Sequence, residues 1–353
     1  MNHIGGLRGI MDQIGAEALL LTSEVSQRYA VDFAFSDGYV LVMHDAAYLV
    51  TDMRYLEEAS AGTDDGIEVV APPARREFIF DTLKAAGIKR VGIENHAMTL
   101  AEFDDLLGGE ELVTVNIGDA IEVLRAVKGD EEIKRIRAAQ AITDAAFTHI
   151  LTVLTPNMTE IDVVLELEFF MRRHGADGIA FPTIAVSGAS SSLPHGVPSR
   201  RTLSRGFLTM DFGATVGGYA SDMTRTVVLG RATEEMKHLY QTVLRAQELG
   251  IEMIAAGVDG ALVDGVARAH IDREGYQGLF GHSFGHGVGI EIHEAPRLSS
   301  RSHTPLVAGN IVTAEPGIYR MGEYGCRIEN MGLVTEVGFD CFTKSTKELI
   351  ELF

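Results

Sequence analysis

The chain has 353 residues, of which 46% are hydrophobic, and its formal net charge is −20. This length predicts two domains, and the acidic charge argues against nucleic-acid binding, which needs a basic face. No apolar run approaches the roughly 18 residues that span a bilayer, so no membrane association is expected. Only two cysteines occur and the first residues lack a secretory pattern. We therefore expect a cytoplasmic protein without a disulfide framework.

The first third of the chain alternates short apolar runs with a helical segment. A helix is predicted over residues 77–86 and ends at Gly87, a residue type that favours helix C-caps. Strands are predicted at 18–21, 39–43, 47–50, 67–70 and 90–93, with a hairpin turn at 44–46. These elements predict a compact α/β domain over residues 1–124.

Long helices and glycine-rich strands make up the rest of the chain. One helix is predicted to begin with Asp130 as its N-cap, and a second to begin at Thr159, with Asp162 as its capping-box partner. A third follows Thr233, and its apolar residues recur at helical spacing, which indicates a core position. The sequence therefore predicts an α+β domain over residues 125–353, with helices packed on a largely antiparallel sheet.

Two aspartates lie in a stretch that otherwise has the pattern of a buried hairpin. Strands are predicted at 208–210 and 226–229, and the two glycines at 217–218 indicate a turn. Asp211 and Asp222 lie between these features. Carboxylates are rarely buried unless they are paired or bind a metal, so both aspartates are candidate ligands.

Three later segments place His286, Glu315 and Glu329 in similar apolar, strand-like settings. With the two aspartates they would supply four carboxylates and one imidazole, a set that suits Mn²⁺, Co²⁺, Fe²⁺ or Zn²⁺. Two divalent ions would balance four carboxylates, whereas one ion would leave a charge of −2 in a low-dielectric pocket. The charges therefore favour a two-metal centre.

Simpler interpretations exist for each residue alone. A single acid of this set is better explained as a surface or salt-bridged carboxylate. His282 and His286 have the spacing of a helical zinc site, but the glycines around them make a helix improbable, so only one of the two is expected on the metal. It is the occurrence of all five residues in similar apolar, strand-like settings that favours a metal centre over these simpler interpretations.

These segments resemble the metal-binding motifs of metallopeptidase family M24, the pita-bread-fold group that contains prolidase, aminopeptidase P and methionine aminopeptidase. The resemblance covers essentially the whole chain, with a creatinase-type α/β N-terminal domain followed by a pita-bread catalytic domain. It implies two divalent ions per subunit, Mn²⁺ first and Co²⁺, Fe²⁺ or Zn²⁺ as alternatives. The implied ligands are Asp211, Asp222, His286, Glu315 and Glu329, with Asp222 and Glu329 bridging.

The resemblance also implies roles for residues beside the metals. His195 would contact the scissile region, and His293 would donate a hydrogen bond to the peptide carbonyl oxygen. Glu315 would act as general base and then general acid. Arg297 is a candidate for binding the substrate carboxylate, with a solvated loop arginine as the alternative. Residues expected to orient the ligands are Tyr219, Thr224, Arg327 and His282.

The sequence thus predicts an Xaa-Pro dipeptidase that acts on proline-containing dipeptides or short peptides and forms a homodimer. An aminopeptidase P acting on longer Xaa-Pro peptides is the main alternative. Methionine aminopeptidases share the five ligands but usually lack such an N-terminal domain. Creatinase-like amidinohydrolases and non-catalytic pita-bread binding modules would not need the complete ligand set.

Overall fold

The computed structural model describes residues 3–63, 66–109 and 111–353. The chain divides into two compact units, Met1–Arg125 and Ala126–Phe353, one residue after the boundary drawn from the sequence. Among the described helices, none is both long and apolar enough to cross a membrane.

A six-stranded mixed sheet forms the centre of the N-terminal unit, in the order β4-β3-β2-β1-β5-β6. Its strands are β1 (Ala18–Leu21), β2 (Tyr39–Met43), β3 (Ala47–Val50), β4 (Glu68–Val70), β5 (Arg90–Ile93) and β6 (Val113–Asn116). Its helices are α1 (Ile4–Ile14), α2 (Glu24–Val31), α3 (Leu56–Gly62), α4 (Arg75–Ala85), α5 (Leu100–Leu107) and α6 (Ala120–Ala126). All five predicted strands are present, and the whole of β1 is buried, which explains its continuous apolar run.

Four long helices of the second unit are α7 (Asp130–Val153), α8 (Glu160–Arg173), α9 (Glu234–Met253) and α10 (Gly260–Ile271). Thr159 caps α8 in the predicted capping box with Asp162, and the Thr233 side chain caps α9. The prediction for α7 was wrong by one residue. Gly129 is the N-cap because its N–H donates to the Glu132 carboxylate at 2.7 Å, which leaves Asp130 as the first helical residue.

The strands of the second unit form several small sheets, in the orders β11-β10-β7, β20-β12-β9-β8, β14-β13-β15-β18-β19 and β16-β17. They are β7 (Gly178–Ile179), β8 (Ile184–Ser187), β9 (Gly206–Phe212), β10 (Ala214–Val216), β11 (Tyr219–Ala220), β12 (Met223–Leu229), β13 (Gly285–Gly287), β14 (Glu294–Leu298), β15 (Ile311–Ala314), β16 (Gly317–Arg320), β17 (Tyr324–Arg327), β18 (Asn330–Thr335), β19 (Gly338–Cys341) and β20 (Glu351–Leu352). Except for β12 with β20, the neighbours that pair are antiparallel.

The predicted hairpin around the two aspartates is divided between two sheets. β9 and β12 pair directly, with Asp211 opposite Thr224. The connection between them folds into β10 and β11, which form a tighter hairpin in a separate sheet. Gly217 and Gly218 turn this inner hairpin with positive φ values of 55° and 77°, a conformation that glycine adopts without strain. Asp211 and Asp222 are therefore brought to the same end of the β9–β12 ladder.

A second ladder supplies the other candidate ligands. β15 pairs with β18 so that Ala314 lies opposite Asn330. Because the pair is antiparallel, Glu315, which follows β15, and Glu329, which precedes β18, leave the ladder at the same end. His286 lies in β13, which pairs with β15 on its other side.

Candidate active site

The five candidate ligands lie together in the second unit. His286 Nε2 is 3.6 Å from Asp222 Oδ2 and 3.2 Å from Glu315 Oε1. Asp222, His286 and Glu329 are buried, and each offers one ligand atom within 4.8 Å of the others. Glu315 and Asp211 are slightly more open, with side chains 15% and 14% exposed. The structure thus gathers side chains from segments more than 100 residues apart.

Hydrogen bonding fixes which nitrogen of His286 faces this acidic cluster. Its Nδ1 lies 3.0 Å from the backbone oxygen of Gly287, which can only accept, so Nδ1 carries the proton. Nε2 is therefore the nitrogen that faces Asp222 and Glu315. An imidazole held in this orientation is suited to bind a metal ion through Nε2.

His282 is held differently, although it lies only four residues earlier. Its Nδ1 donates to Ser283 O at 2.9 Å, so its Nε2 accepts a hydrogen bond from the Tyr319 hydroxyl at 3.0 Å. That hydroxyl accepts in turn from Arg327 Nη1 at 2.8 Å. Both ring nitrogens of His282 are therefore engaged in the network around the acids.

Electrostatics make the acidic cluster unfavourable by itself. Burial raises the pKa of Asp222 well above its usual range, and the negative charges of Glu329, Asp211 and Glu315 raise it further. Burial and the same kind of repulsion raise the pKa of Glu329 in the same direction. Glu315 differs: burial raises its pKa, but His286, His282 and Arg327 together outweigh this effect and lower the pKa to about 2. A compensating cation would favour the ionised form of all these groups.

Two oxygens of the cluster remain available for a metal. Within the described ranges, Asp211 Oδ1 and Glu329 Oε1 are buried and have no hydrogen-bond partner. Buried polar atoms are normally hydrogen-bonded, so such oxygens need another partner. Carboxylate oxygens together with Nε2 of His286 match the donors that borderline divalent ions prefer. The residues present therefore fit a divalent-metal centre.

Arg327 and Thr224 connect the two ends of the cluster. Arg327 Nη2 donates to Asp211 Oδ2 at 2.5 Å, and its Nε donates to Thr224 Oγ1 at 2.9 Å. The Thr224 hydroxyl then donates to Glu329 Oε2 at 2.8 Å. These contacts hold two carboxylates of the cluster in place.

Tyr219 departs from its expected position. Its hydroxyl donates to Glu132 Oε1 at 2.9 Å, so that bond links β11 to helix α7 instead of to a carboxylate of the cluster. The reason is the path of the backbone: the inner β10–β11 hairpin leaves the ladder that carries Asp211.

Sequence reasoning missed three residues that hold the cluster. Tyr319 lies between His282 and Arg327, as described above. Gln247, in α9, donates through Nε2 to the backbone oxygens of Ala314 at 3.1 Å and Ile328 at 3.3 Å, the residues just before Glu315 and Glu329. Arg225 is 1% exposed and donates to five oxygens, those of Thr224, Glu329, Asn330, Ser345 and Thr346. An arginine inside the apolar strand β12 was the one visible signal among the three.

A cavity of about 640 Å³ opens beside the acidic cluster. His195, His293 and Arg297 line it and are exposed. The ring centroid of His293 is 4.4 Å from that of His286, and Arg297 pairs with His286 across β13 and β14. Apolar side chains also line the cavity: Phe181, Pro182, Ile184, Pro194, Val197, Pro198 and Ile292. The cavity can therefore place a small, partly apolar molecule against the cluster.

Comparison with known families matches both parts of the chain. Residues 134–336 match the model of metallopeptidase family M24. Residues 4–127 match that of the creatinase/prolidase N-terminal domain. The predicted fold class, a creatinase-type α/β domain followed by a pita-bread domain, is confirmed by these matches and by the solved structures described next.

Individual relatives agree along nearly the full chain. An Xaa-Pro dipeptidase from Pyrococcus horikoshii is 35% identical over 96% of this chain and 96% of its own. The structure of an Xaa-Pro dipeptidase from Bacillus anthracis has a TM-score of 0.95 at 42% identity, covering 99% of both chains. An X-Pro aminopeptidase from Thermotoga maritima has a TM-score of 0.91 at 34% identity, covering 98% of this chain and 100% of its own. The chain therefore belongs to metallopeptidase family M24.

Proposed function

We propose that this peptidase hydrolyses the bond between an N-terminal residue and proline, with dipeptides as its main substrates. The observation that carries the proposal is the buried cluster of four acids and one histidine opening into the cavity lined by His195, His293 and Arg297. The names of the Pyrococcus and Bacillus relatives support the same substrate class. The match to a creatinase/prolidase N-terminal domain favours this group over the methionine aminopeptidases.

The proposal includes two divalent ions per chain, with Mn²⁺ first and Co²⁺, Fe²⁺ or Zn²⁺ as alternatives. The residues that would hold them are Asp211, Asp222, His286, Glu315 and Glu329. Two ions would balance the four negative charges. Asp211 Oδ1 and Glu329 Oε1, which are buried without a hydrogen-bond partner, support a requirement for cations in the cluster. When bound, such ions lower the pKa of a water molecule and polarise a carbonyl group.

Residues of the chain would supply the proton transfers and the orientation. Glu315, whose carboxylate borders the cavity, accepts the proton of the attacking water and delivers it to the proline nitrogen as the bond breaks. His293 donates a hydrogen bond to the carbonyl oxygen while negative charge develops on it. His195, which also lines the cavity, holds the scissile region.

The bond before proline needs a dedicated pocket. It is a tertiary amide without an N–H, so proteases that hold their substrate through that group cannot bind it. The apolar lining of this cavity suits the proline ring, and the exposed Arg297 is placed to bind the free carboxylate of a dipeptide. The structural match to an X-Pro aminopeptidase makes cleavage of longer peptides the second candidate.

The proposal also covers the cellular setting. A reducing cytoplasm is supported by two cysteines that are both free, Cys326 and Cys341. The net charge of −20 disfavours nucleic acid as a partner. A homodimer is proposed from the family resemblance.

A hydrolysis panel tests the substrate class. Purified protein supplied with Mn²⁺ or Co²⁺ would be given Xaa-Pro dipeptides, Xaa-Pro tripeptides and Met-Ala-Ser. The proposal expects the highest kcat/KM for the dipeptides. Faster tripeptide cleavage would favour the aminopeptidase, and cleavage of Met-Ala-Ser alone would overturn the proline assignment.

A further inference from the structure

Glu160 is a buried carboxylate outside the acidic cluster. It is the first residue of α8 and is 1% exposed. Its Oε1 accepts from Ser187 N at 2.9 Å and Ser187 Oγ at 3.2 Å. Its Oε2 accepts from Ser199 N at 3.0 Å and Ser199 Oγ at 2.8 Å. One side chain therefore receives four hydrogen bonds from two positions twelve residues apart.

Those two positions are the ends of one loop. Residues 188–198, here called the histidine loop, carry His195 and much of one wall of the cavity. The loop leaves β8 at Ser187 and returns at Ser199. At its middle, Pro194 O accepts from Arg327 Nη1 at 3.1 Å, so the loop also touches the network around the acids.

We propose that Glu160 is a positioning residue that clamps both ends of the histidine loop and so fixes His195 over the cavity. This inference rests on the proposed function for the role of His195 in substrate cleavage. The clamp itself depends only on the four hydrogen bonds, which hold whatever the substrate is.

A carboxylate suits this position better than other side chains of its size. It only accepts, and the groups that face it, the four from the two serines and the Arg201 guanidinium 3.8 Å from Oε2, can all donate. Its place in the first turn of α8 also favours a negative charge, because the helix N-terminus carries partial positive charge. The amide of a glutamine would turn its NH₂ group toward one pair of serine donors. Glu160→Gln should therefore weaken the hold on one end of the loop while changing the side-chain volume little.

Hydrogen exchange tests the clamp without any assay of activity. In Glu160→Gln, backbone amides of residues 188–198 should exchange about tenfold faster or more, since local opening of the loop becomes easier. Amides of β9 and β12 should keep their wild-type rates. Glu168→Gln, two turns further along the same helix, is the matched control and should leave the loop unchanged. A folded Glu160→Gln protein with wild-type exchange in the loop overturns the proposal.

Kinetics test whether the clamp acts through His195. Glu160→Gln should lower kcat for an Xaa-Pro dipeptide on the order of 10–100-fold, with bound metal and KM near wild type, because a misplaced loop loses transition-state contacts. Combined with His195→Ala, the same substitution should cost less than about threefold more, since the residue being positioned is gone. A full, additive loss in the double variant refutes an action through His195.

The clamp can still be tested if Glu160→Gln does not fold or if the wild-type enzyme does not cleave Xaa-Pro peptides. If Glu160→Gln fails to fold, Ser199→Ala removes one donor of the clamp and should speed exchange in the loop by about threefold, and no change would overturn the clamp. If the wild-type enzyme cleaves no Xaa-Pro peptide, the proposed function fails. The exchange experiment still decides whether Glu160 holds the loop.

Discussion

Replacing Arg327 by lysine tests how much the geometry of the acidic cluster depends on one guanidinium group. The change keeps the positive charge but removes the planar fork. Arg327 makes four hydrogen bonds, to Asp211, Thr224, Tyr319 and Pro194. A lysine nitrogen can keep the ion pair with Asp211, but a single donor atom cannot also reach the other three acceptors.

The expected size of the effect follows from these contacts. Three hydrogen bonds to neutral acceptors are lost, at about 1 kcal/mol each, so the free energy that holds the site together falls by about 3 kcal/mol. Part of this loss appears in catalysis, because Thr224 no longer receives a bond from residue 327 and its own bond to Glu329 loosens. Changes to residues that orient metal ligands typically reduce metal affinity or activity about 10–100-fold. We expect Arg327→Lys to show a loss in that range.

The assay is a titration of the metal-free variant with Mn²⁺, followed by both calorimetry and activity. Arg320→Lys is the matched control, because Arg320 lies on the neighbouring strand β16 and forms ion pairs with the partly exposed Glu235 and Glu323. Exposed pairs contribute little, so this control should change affinity less than about threefold. If Arg327→Lys binds Mn²⁺ and turns over substrate like the control, the orienting role assigned to Arg327 is refuted.

Four other changes test the rest of the site. Chelation should abolish activity, Mn²⁺ or Co²⁺ should restore it, and elemental analysis should find about two ions per chain; full activity in metal-free protein would contradict this. His293→Ala should lower kcat about 10²–10³-fold with normal metal content, and loss of metal would instead make His293 a ligand. Arg297→Ala should raise KM for Xaa-Pro dipeptides and spare tripeptides, so an equal effect on both lengths rules out carboxylate binding. The metal-free protein should lose thermal stability as pH rises above about 4.3, because burial raises the pKa of Asp222 and Glu329 and the folded state holds their protons longer than the unfolded chain. A melting temperature that does not fall as the pH rises above about 4.3 would contradict that sign.

The candidate ligands could be found from sequence because each breaks a local pattern. An aspartate within the largely apolar strand β9, or a glutamate between two buried strands, needs an explanation wherever it occurs. The main helices and strands follow from periodicity in the same way. The exact course of the 211–222 connection did not, because whether two short strands join one sheet or two depends on partners such as β7, more than 30 residues earlier.

Gln247 and Glu160 could not be predicted because their partners are remote in sequence. Gln247 is a common residue type for a helix, and its two acceptors lie 67 and 81 positions away. Glu160 is likewise unremarkable at a helix start until the fold brings Ser187 and Ser199 to it. A local sequence pattern reveals a residue whose type does not fit its immediate neighbours. Gln247 and Glu160 fit theirs, and only the fold shows that they are buried against distant partners.

Burial also explains why an uncharged hydroxyl holds the carboxylate of Glu329. Glu329 is 1% exposed, and each negative charge near it makes its own ionisation harder. A positively charged side chain in contact with the Glu329 carboxylate would relieve that repulsion, but it would also compete with a metal ion for the same oxygen. The buried Arg225 instead donates to the backbone oxygen of Glu329. The carboxylate of Glu329 accepts one hydrogen bond, from the neutral hydroxyl of Thr224. The remaining oxygen is left without a partner among the described residues, so the fold holds the glutamate in place while keeping its charge available for a divalent ion.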